Sequence, residues 1–286
     1  MFTNVEAFYR PGSVPEALRS FQKTKGHARV LAGGTDLALA ADRSVRFLID
    51  ITHAGLTYIR RRNQSIIIGA TTTMGELEES PILEALAGGL LCRAAASCGS
   101  IEIRNVATLG GNMANGSPAA DLATPLLVLD ASVVLVDLRK KRQLPLFDFL
   151  RGTDLPACLL TEVVIPAPPS GKRCGWSFQK FGRTAVDISV VNVAAGLELD
   201  ARQRVKWMRI AVAAAAPVPF RAVAAEELAA GRALDRTLLA EIGDEVVREL
   251  RPITDQRASA EYRRKLAHVL TGRALEECAA HAGHTL

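Results

Sequence analysis

The chain has 286 residues, 49% of them hydrophobic, with 35 Lys and Arg against 30 Asp and Glu and a formal net charge of +5. That length predicts two or three compact units with a real core. Its longest apolar stretches, Leu122–Val136 and Ile188–Leu199, are interrupted by Asp, Pro, Asn or Gly, short of the roughly 20 apolar residues of a bilayer span.

Met1–Glu6 shows neither a basic region nor an apolar signal-peptide core, so the expected location is soluble and cytoplasmic. Aromatics are 5% and do not interleave with the basic runs Arg60–Arg62 and Arg139–Arg142, which argues against a nucleic-acid stacking surface. The second run sits between apolar stretches, where a hairpin turn would put it in solvent. The five cysteines (Cys92, Cys98, Cys158, Cys174, Cys278) are odd in number and form no Cys-x-x-Cys pair. Free thiols are expected, with no zinc ribbon or iron–sulfur cluster held by this chain alone.

In chain order, Ser13 is the expected cap of a first helix. Glu16 stands in capping-box position, and Val14, Ala17, Leu18 and Phe21 share a face. A strand at Ala28–Leu31, a short helical crossover over Gly33–Ala41 and a strand at Arg46–Ile51 make a βαβ pattern. Thr57–Arg60 and Ser65–Gly69 read as paired strands. A helical stretch begins at Thr73, and Pro81–Cys98 reads as one long Ala/Leu-rich helix. A helical turn over Asp121–Leu129 precedes strands at Ser132–Asp137, Gln143–Leu146 and Leu159–Ile165. The stretch Pro166–Gly171 is the clearest linker. Beyond it come strands at Gly175–Phe181, Ile188–Leu199 and Val205–Ala213, then helices from Phe220 onward, which is an α+β arrangement.

Two glycine segments carry most of the functional information: Leu31-Ala32-Gly33-Gly34-Thr35-Asp36-Leu37 and Thr108-Leu109-Gly110-Gly111-Asn112. Each sets a Gly-Gly pair between an apolar run and a small polar residue. Glycine allows positive φ and close approach, and bare N–H groups presented this way suit a phosphate or diphosphate. Neither segment is Gly-x-Gly-x-x-Gly and neither is followed by a Walker lysine, so nicotinamide-type and P-loop sites are not indicated. The histidines (His27, His53, His268, His281, His284) form no triad with Ser or Cys. Asp36, Asp50, Asp121 and Asp187 are not spaced as a metal-ligand set.

Taken with Ile103-Arg104-Asn105-Val106-Ala107, Ser117-Pro118-Ala119-Ala120-Asp121, Lys180-Phe181-Gly182-Arg183 and Asp187-Ile188-Ser189, the two segments resemble the FAD-binding (medium) subunits of molybdenum hydroxylases across essentially the whole chain. The resemblance implies an α+β protein. A small βαβ lobe (residues 1–54) and a larger mixed lobe (55–170) form a two-part FAD-binding module, followed by a C-terminal antiparallel sheet with helices (171–286).

It also implies that Leu31, Ala32, Gly33, Gly34, Thr35, Asp36 and Leu37 wrap the FAD diphosphate and ribityl. Thr108, Gly110, Gly111 and Asn112 would close from the other side, and Asp121 would accept hydrogen bonds from FAD hydroxyls with Ser117 on the same approach. Leu160 and Lys180 would lie against the isoalloxazine, Ile188 would shield its reactive face, and Cys98 stands where some relatives place an aromatic residue near the adenine. No residue of this chain is expected to be catalytic or to bind metal. The implied partners are a large subunit with the molybdenum cofactor and a small subunit with two [2Fe–2S] clusters, as a dimer of heterotrimers passing electrons through FAD to NAD+ or another acceptor. The alternatives are a stand-alone flavin oxidoreductase and a non-catalytic FAD-binding assembly subunit.

Overall fold

The computed structural model describes residues 4–24, 26–40, 42–152, 158–169 and 171–286. Met1–Thr3 of the expected leaderless start, Ala41 at the end of the expected crossover and Ser170 of the Pro-rich stretch lie outside the described residues.

Strand β1 (Ala7–Tyr9), helix α1 (Val14–Lys23), β2 (Ala28–Leu31), α2 (Leu37–Ala40) and β3 (Phe47–Asp50) build a parallel sheet of order β1-β3-β2. Helix α1 starts where its signals lie. The Ser13 side chain accepts the Glu16 N–H, while the Glu16 carboxylate accepts from Gly12 N–H at 2.8 Å instead of from the cap residue itself. Ala17 and Leu18 are buried on the sheet, and Val14 and Phe21 flank them. Strand β1 is not anticipated from sequence, because three residues are too few to show a period of two.

Next come β4 (Ile59–Arg62), β5 (Ser65–Gly69), α3 (Met74–Glu78), α4 (Pro81–Glu84), α5 (Leu90–Ala96), α6 (Ile101–Arg104), α7 (Leu109–Ala114) and α8 (Ala123–Val128). The unit ends with β6 (Ser132–Val136), β7 (Lys141–Pro145), α9 (Leu146–Leu150) and β8 (Leu159–Ile165). The strands form an antiparallel sheet of order β4-β5-β8-β6-β7. Leu77, Leu90, Leu91, Leu109, Met113 and Leu126 from the helices share one core with Ile66, Ile68, Val133, Val163 and Ile165 from the sheet.

The expected single helix over Pro81–Cys98 is broken. Ala87, Gly88 and Gly89 take left-handed φ values of 49°, 60° and 71°, and the chain restarts as α5. Each glycine costs a helix interior about 1 kcal/mol relative to Ala. The pair stops the helix despite its Ala/Leu-rich flanks. The basic run at Arg139–Arg142 does sit at a hairpin, where Asp137 Oδ1 accepts the Arg139 and Lys140 N–H groups.

The remaining strands, β9 (Cys174–Phe181), β10 (Val191–Leu199), β11 (Val205–Ala213) and β12 (Phe220–Arg221), form an antiparallel sheet of order β12-β11-β10-β9. Helices α10 (Val223–Ala229) and α12 (Ala260–His281) cover it, and α11 (Arg236–Glu249) packs against both helices. Strand β10 is buried on both faces. Val191, Val193, Ala195 and Leu197 enter a second core with the covering helices, while Ala194 faces the first core. That explains an apolar run without alternation. The run begins three residues later than expected, since Ile188 is exposed and Ser189 turns to a polar partner. The architecture is α+β, as expected.

Candidate functional site

The first glycine loop leaves β2 after Leu31, whose carbonyl accepts the Ile51 N–H at 2.9 Å. Gly34 then takes φ +72°, a conformation that L side chains resist. Helix α2 is tied back by the Ala38 N–H on the Gly34 carbonyl and the Leu39 and Ala40 N–H groups on the Asp36 carbonyl. The backbone N–H groups of Gly33, Gly34, Thr35 and Asp36 donate to no protein acceptor among the described residues. Successive open amides at a turn form an anion-binding concavity. Gly33 is glycine for a different reason: a Cβ there would lie 1.9 Å from the Val106 carbonyl oxygen, in the backbone leading into the second loop.

The second loop departs from the expectation of another set of bare donors. Leu109 N–H donates to Thr72 O at 2.9 Å and Gly110 N–H to Ala70 O at 2.8 Å. Gly111 N–H donates to the capping hydroxyl of Thr108 at 3.1 Å, and Asn112 N–H to Thr108 O at 2.9 Å. What this loop offers is a surface without side chains at Gly110 and Gly111, together with the Asn112 amide. The Asn112 Oδ1 is buried and has no hydrogen-bond partner among the described residues.

The two loops face each other across a cavity of about 440 Å³, inside the roughly 300–1,000 Å³ range of small-molecule sites. Ala32, Gly33, Gly34, Thr35, Asp36 and Leu37 line it from one lobe, and Thr108, Gly110, Gly111, Asn112 and Leu160 from the other. Leu31 is not on this lining, and the Ser117 hydroxyl accepts the Ala119 N–H. Sequence reasoning missed Arg29 and Asn115 on the lining. Asn115 follows Asn112 by three positions at the end of α7, a helical spacing that could have revealed it. Arg29 pairs with Asp42 at 3.1 Å at the same cavity.

Asp121 and Lys180 do not line this cavity. They form an ion pair at 2.7 Å, nine-tenths buried, where β9 meets the helical layer. Lys180 Nζ also donates to the Ser97 carbonyl at 2.7 Å. Asp121 Oδ2 further receives the Cys98 thiol at 3.8 Å, while Oδ1 receives the Asn192 amide at 3.2 Å and the Ser189 hydroxyl. A carboxylate offers about four acceptor positions, and these protein donors occupy them. The carboxylate of Asp121, expected to accept from cofactor hydroxyls, thus receives Lys180, Cys98, Asn192 and Ser189 in this structure.

Burial pushes the Asp121 carboxyl up, and the Lys180 ammonium opposes that rise. Burial likewise pushes the Cys98 thiol up, which makes it unreactive. The structure brings Cys98, Asp121 and Lys180 to one point. Ile188 lies nearby in sequence and is 59% exposed. Among the described residues, no group of three or more His, Cys, Asp or Glu is placed to hold a metal ion, and no helix is long and apolar enough to cross a membrane.

Residues 2–168 match the FAD binding domain in molybdopterin dehydrogenase, and residues 176–278 match the CO dehydrogenase flavoprotein C-terminal domain. The chain is 32% identical over 292 residues to the xanthine dehydrogenase FAD-binding subunit of Escherichia coli O157:H7, covering 98% of each chain. It is 30% identical to the carbon monoxide dehydrogenase medium chain of Afipia carboxidovorans, covering 96% of this chain and 97% of that one. Among solved structures, a carbon monoxide dehydrogenase chain from Hydrogenophaga pseudoflava superposes with a TM-score of 0.91 at 28% identity, covering 98% and 99% of the two chains. Both glycine loops fall within the first matched region and Lys180 within the second. The chain thus belongs to the FAD-binding subunits of the molybdenum hydroxylases, a family of oxidoreductases.

Proposed function

We propose that this chain is the electron-transfer flavoprotein subunit of a multi-subunit molybdenum hydroxylase. It takes electrons from the [2Fe–2S] clusters of a small partner subunit and delivers them to NAD+ or another acceptor. A large subunit with the molybdenum cofactor carries the substrate pocket, and the assembly is a dimer of heterotrimers. One observation supports the FAD site above all: the unpartnered amides of Gly33, Gly34, Thr35 and Asp36 open on a cavity whose opposite wall is bare glycine beside an unpaired Asn112 Oδ1. This donor set fits a dinucleotide.

When FAD is bound, the redox chemistry is the cofactor's, and the protein supplies binding, orientation and electrostatics. The open amides of the first loop hold the diphosphate without needing a lysine, and the Thr35 hydroxyl adds a donor. Gly110 and Gly111 let the cofactor approach the second loop, where the Asn112 amide meets a polar group. Leu160, 7% exposed, presents an apolar wall that limits water. Lys180, outside the cavity lining and held by Asp121 and the Ser97 carbonyl, is a fixed positive charge that would favour the reduced, more negative ring of an isoalloxazine extending to it.

The test is purification of the chain with its partner subunits, followed by measurement of flavin, iron and molybdenum. Stoichiometric FAD on this chain is expected. A complex without flavin, or a lone chain that oxidises substrate by itself, overturns the proposal. In Gly111→Val the new side chain enters the cavity past the Thr108 hydroxyl, 2.9 Å from its Cβ. FAD should then be lost while the circular dichroism spectrum persists. Retained flavin absorbance would reject the two-loop site.

A further inference from the structure

The basic run Arg60–Arg62 takes no part in the glycine-loop site, and its side chains divide between two faces. Successive residues of a strand point to opposite sides. Arg60 lies over the Tyr58 ring and pairs with Glu162 at 3.2 Å, and Arg62 shares its face of β4. Arg61, on the other face, lines a second cavity of about 540 Å³. This cavity and the glycine-loop cavity have no lining residue in common.

The second cavity lies on the seam between the middle lobe and the C-terminal unit. Arg61 and Gln64 come from the β4–β5 hairpin, Arg93 from α5 and His281 from the end of α12. Ile66, Leu86, Pro168 and Pro169 add apolar walls. Among the described residues no Asp or Glu is on the lining. The carboxylates adjoining these walls are engaged elsewhere. Glu277 accepts from Ser177 and Gln179 at 2.6 Å, Glu198 accepts from Lys206 and Trp207, and Glu84 lies against Gly89 and the Cys92 thiol.

Arg93 is only partly satisfied. Its Nη1 donates to the Gly88 carbonyl at 2.6 Å and its Nη2 to the Trp176 carbonyl at 3.2 Å. Its Nε is buried and has no partner among the described residues. A guanidinium carries five N–H donors, so most of the fork is unspent. His281 Nδ1 meets the same Trp176 carbonyl at 3.0 Å. A carbonyl can only accept, so Nδ1 holds the hydrogen and Nε2 is left open. One backbone oxygen thus draws Arg93 and His281 together. Neither Arg61 nor Arg93 has a carboxylate partner among the described residues.

We propose that this cavity binds a phosphate monoester, with the phosphate held by Arg61 and Arg93 and the organic group against Ile66, Leu86 and the two prolines. Two guanidiniums on one cavity, with no carboxylate to neutralise them, suit a doubly charged anion with several oxygens better than a single carboxylate. The volume falls within the roughly 300–1,000 Å³ of small-molecule sites and leaves room beyond the phosphate for an apolar body. A ligand bound there bridges β4 and α5 to β9 and α12, and so fastens the seam. The site is independent of what occupies the glycine-loop cavity.

The test is isothermal titration calorimetry of the purified complex with phenyl phosphate, at constant ionic strength and with FAD in excess so that the glycine loops are not open to the probe. Saturable binding at a single site per copy of this chain is expected. Arg61→Gln, at an exposed side chain, should weaken it about tenfold, and Arg93→Lys, which keeps the charge but loses the Nε–H, about threefold. Arg62→Gln, on the opposite face of β4, should change it by less than about twofold. Phenyl phosphate should bind about tenfold more tightly than inorganic phosphate, because its ring buries apolar surface.

Absence of saturable binding at millimolar phenyl phosphate overturns the inference. So does unchanged affinity in Arg61→Gln, or an equal loss in Arg62→Gln, which marks general surface charge. Inorganic phosphate binding as tightly as phenyl phosphate overturns the ester, and benzoate binding as tightly overturns the phosphate. If Arg93→Lys does not fold, Arg61→Gln decides.

Discussion

Among the described residues, the loop at residues 31–37 leaves a row of amides without a protein acceptor, whereas the loop at 108–112 spends its amides on Thr72, Ala70 and Thr108. The two segments have the same Gly-Gly signature and play opposite parts. One contributes hydrogen-bond donors, and the other contributes a wall shaped by the absence of side chains. Their glycines differ accordingly: Gly33 yields to the backbone at Val106, Gly34 needs its positive φ, Gly110 packs on Ala70 and Gly111 faces the cavity.

The largest effect that would probe this contrast is expected from Gly33→Ala. Its Cβ would strike the Val106 carbonyl oxygen and carbon at 1.9 and 2.6 Å, and no rotamer change relieves a backbone clash. Forced overpacking costs ~1–3 kcal/mol, and this variant should sit at the top of that range. Denaturant unfolding should show the loss, and no FAD should copurify. Normal stability with bound FAD would mean the lobes do not meet at Gly33.

A smaller loss is expected from Gly34→Ala, where the left-handed backbone costs an L residue ~1–2 kcal/mol and Leu31 Cδ1 stands 3.0 Å from the new Cβ. Because the strain turns the open amides away from their shared concavity, FAD affinity should fall about tenfold or more, the equivalent of ~1.4 kcal/mol. Titration of the flavin-free protein with FAD measures it. Affinity equal to wild type would remove the first loop as the donor loop.

Thr108→Val should have the smallest effect. It removes a helix cap worth ~1 kcal/mol and frees the Gly111 N–H, so the unfolding midpoint should drop while FAD content stays near wild type. If FAD is lost in proportion to a missing donor, the second loop binds by hydrogen bonding through Thr108 and the contrast with the first loop collapses.

The loops were legible in sequence because Gly-Gly after an apolar run is a local signal. So were the first helix cap at Ser13, a hairpin at the basic run Arg139–Arg142 and the antiparallel C-terminal strands. Which amides stay open was not legible, since the partners of Leu109 and Gly110 are supplied by Thr72 and Ala70, far away in the chain. The cluster around Asp121 was hidden for the same reason. Lys180 and Asn192 reach it from 59 and 71 positions away, and no spacing rule predicts that Asn192 enters an otherwise apolar strand to meet a carboxylate. The unbroken helix expected over Pro81–Cys98 shows the converse error, in which composition outweighed two adjacent glycines whose left-handed φ ends a helix.

Strand β10 divides its side chains between two cores, with Val193 on one side and Ala194 on the other. A strand shared in this way makes the cores mechanically interdependent. Cutting the chain at the Pro-rich stretch would leave one half with a bare apolar sheet face and the other with an uncovered α8. The regions matched by two separate family descriptions should therefore melt as one cooperative unit, with the amides of β10 among the last to exchange with solvent.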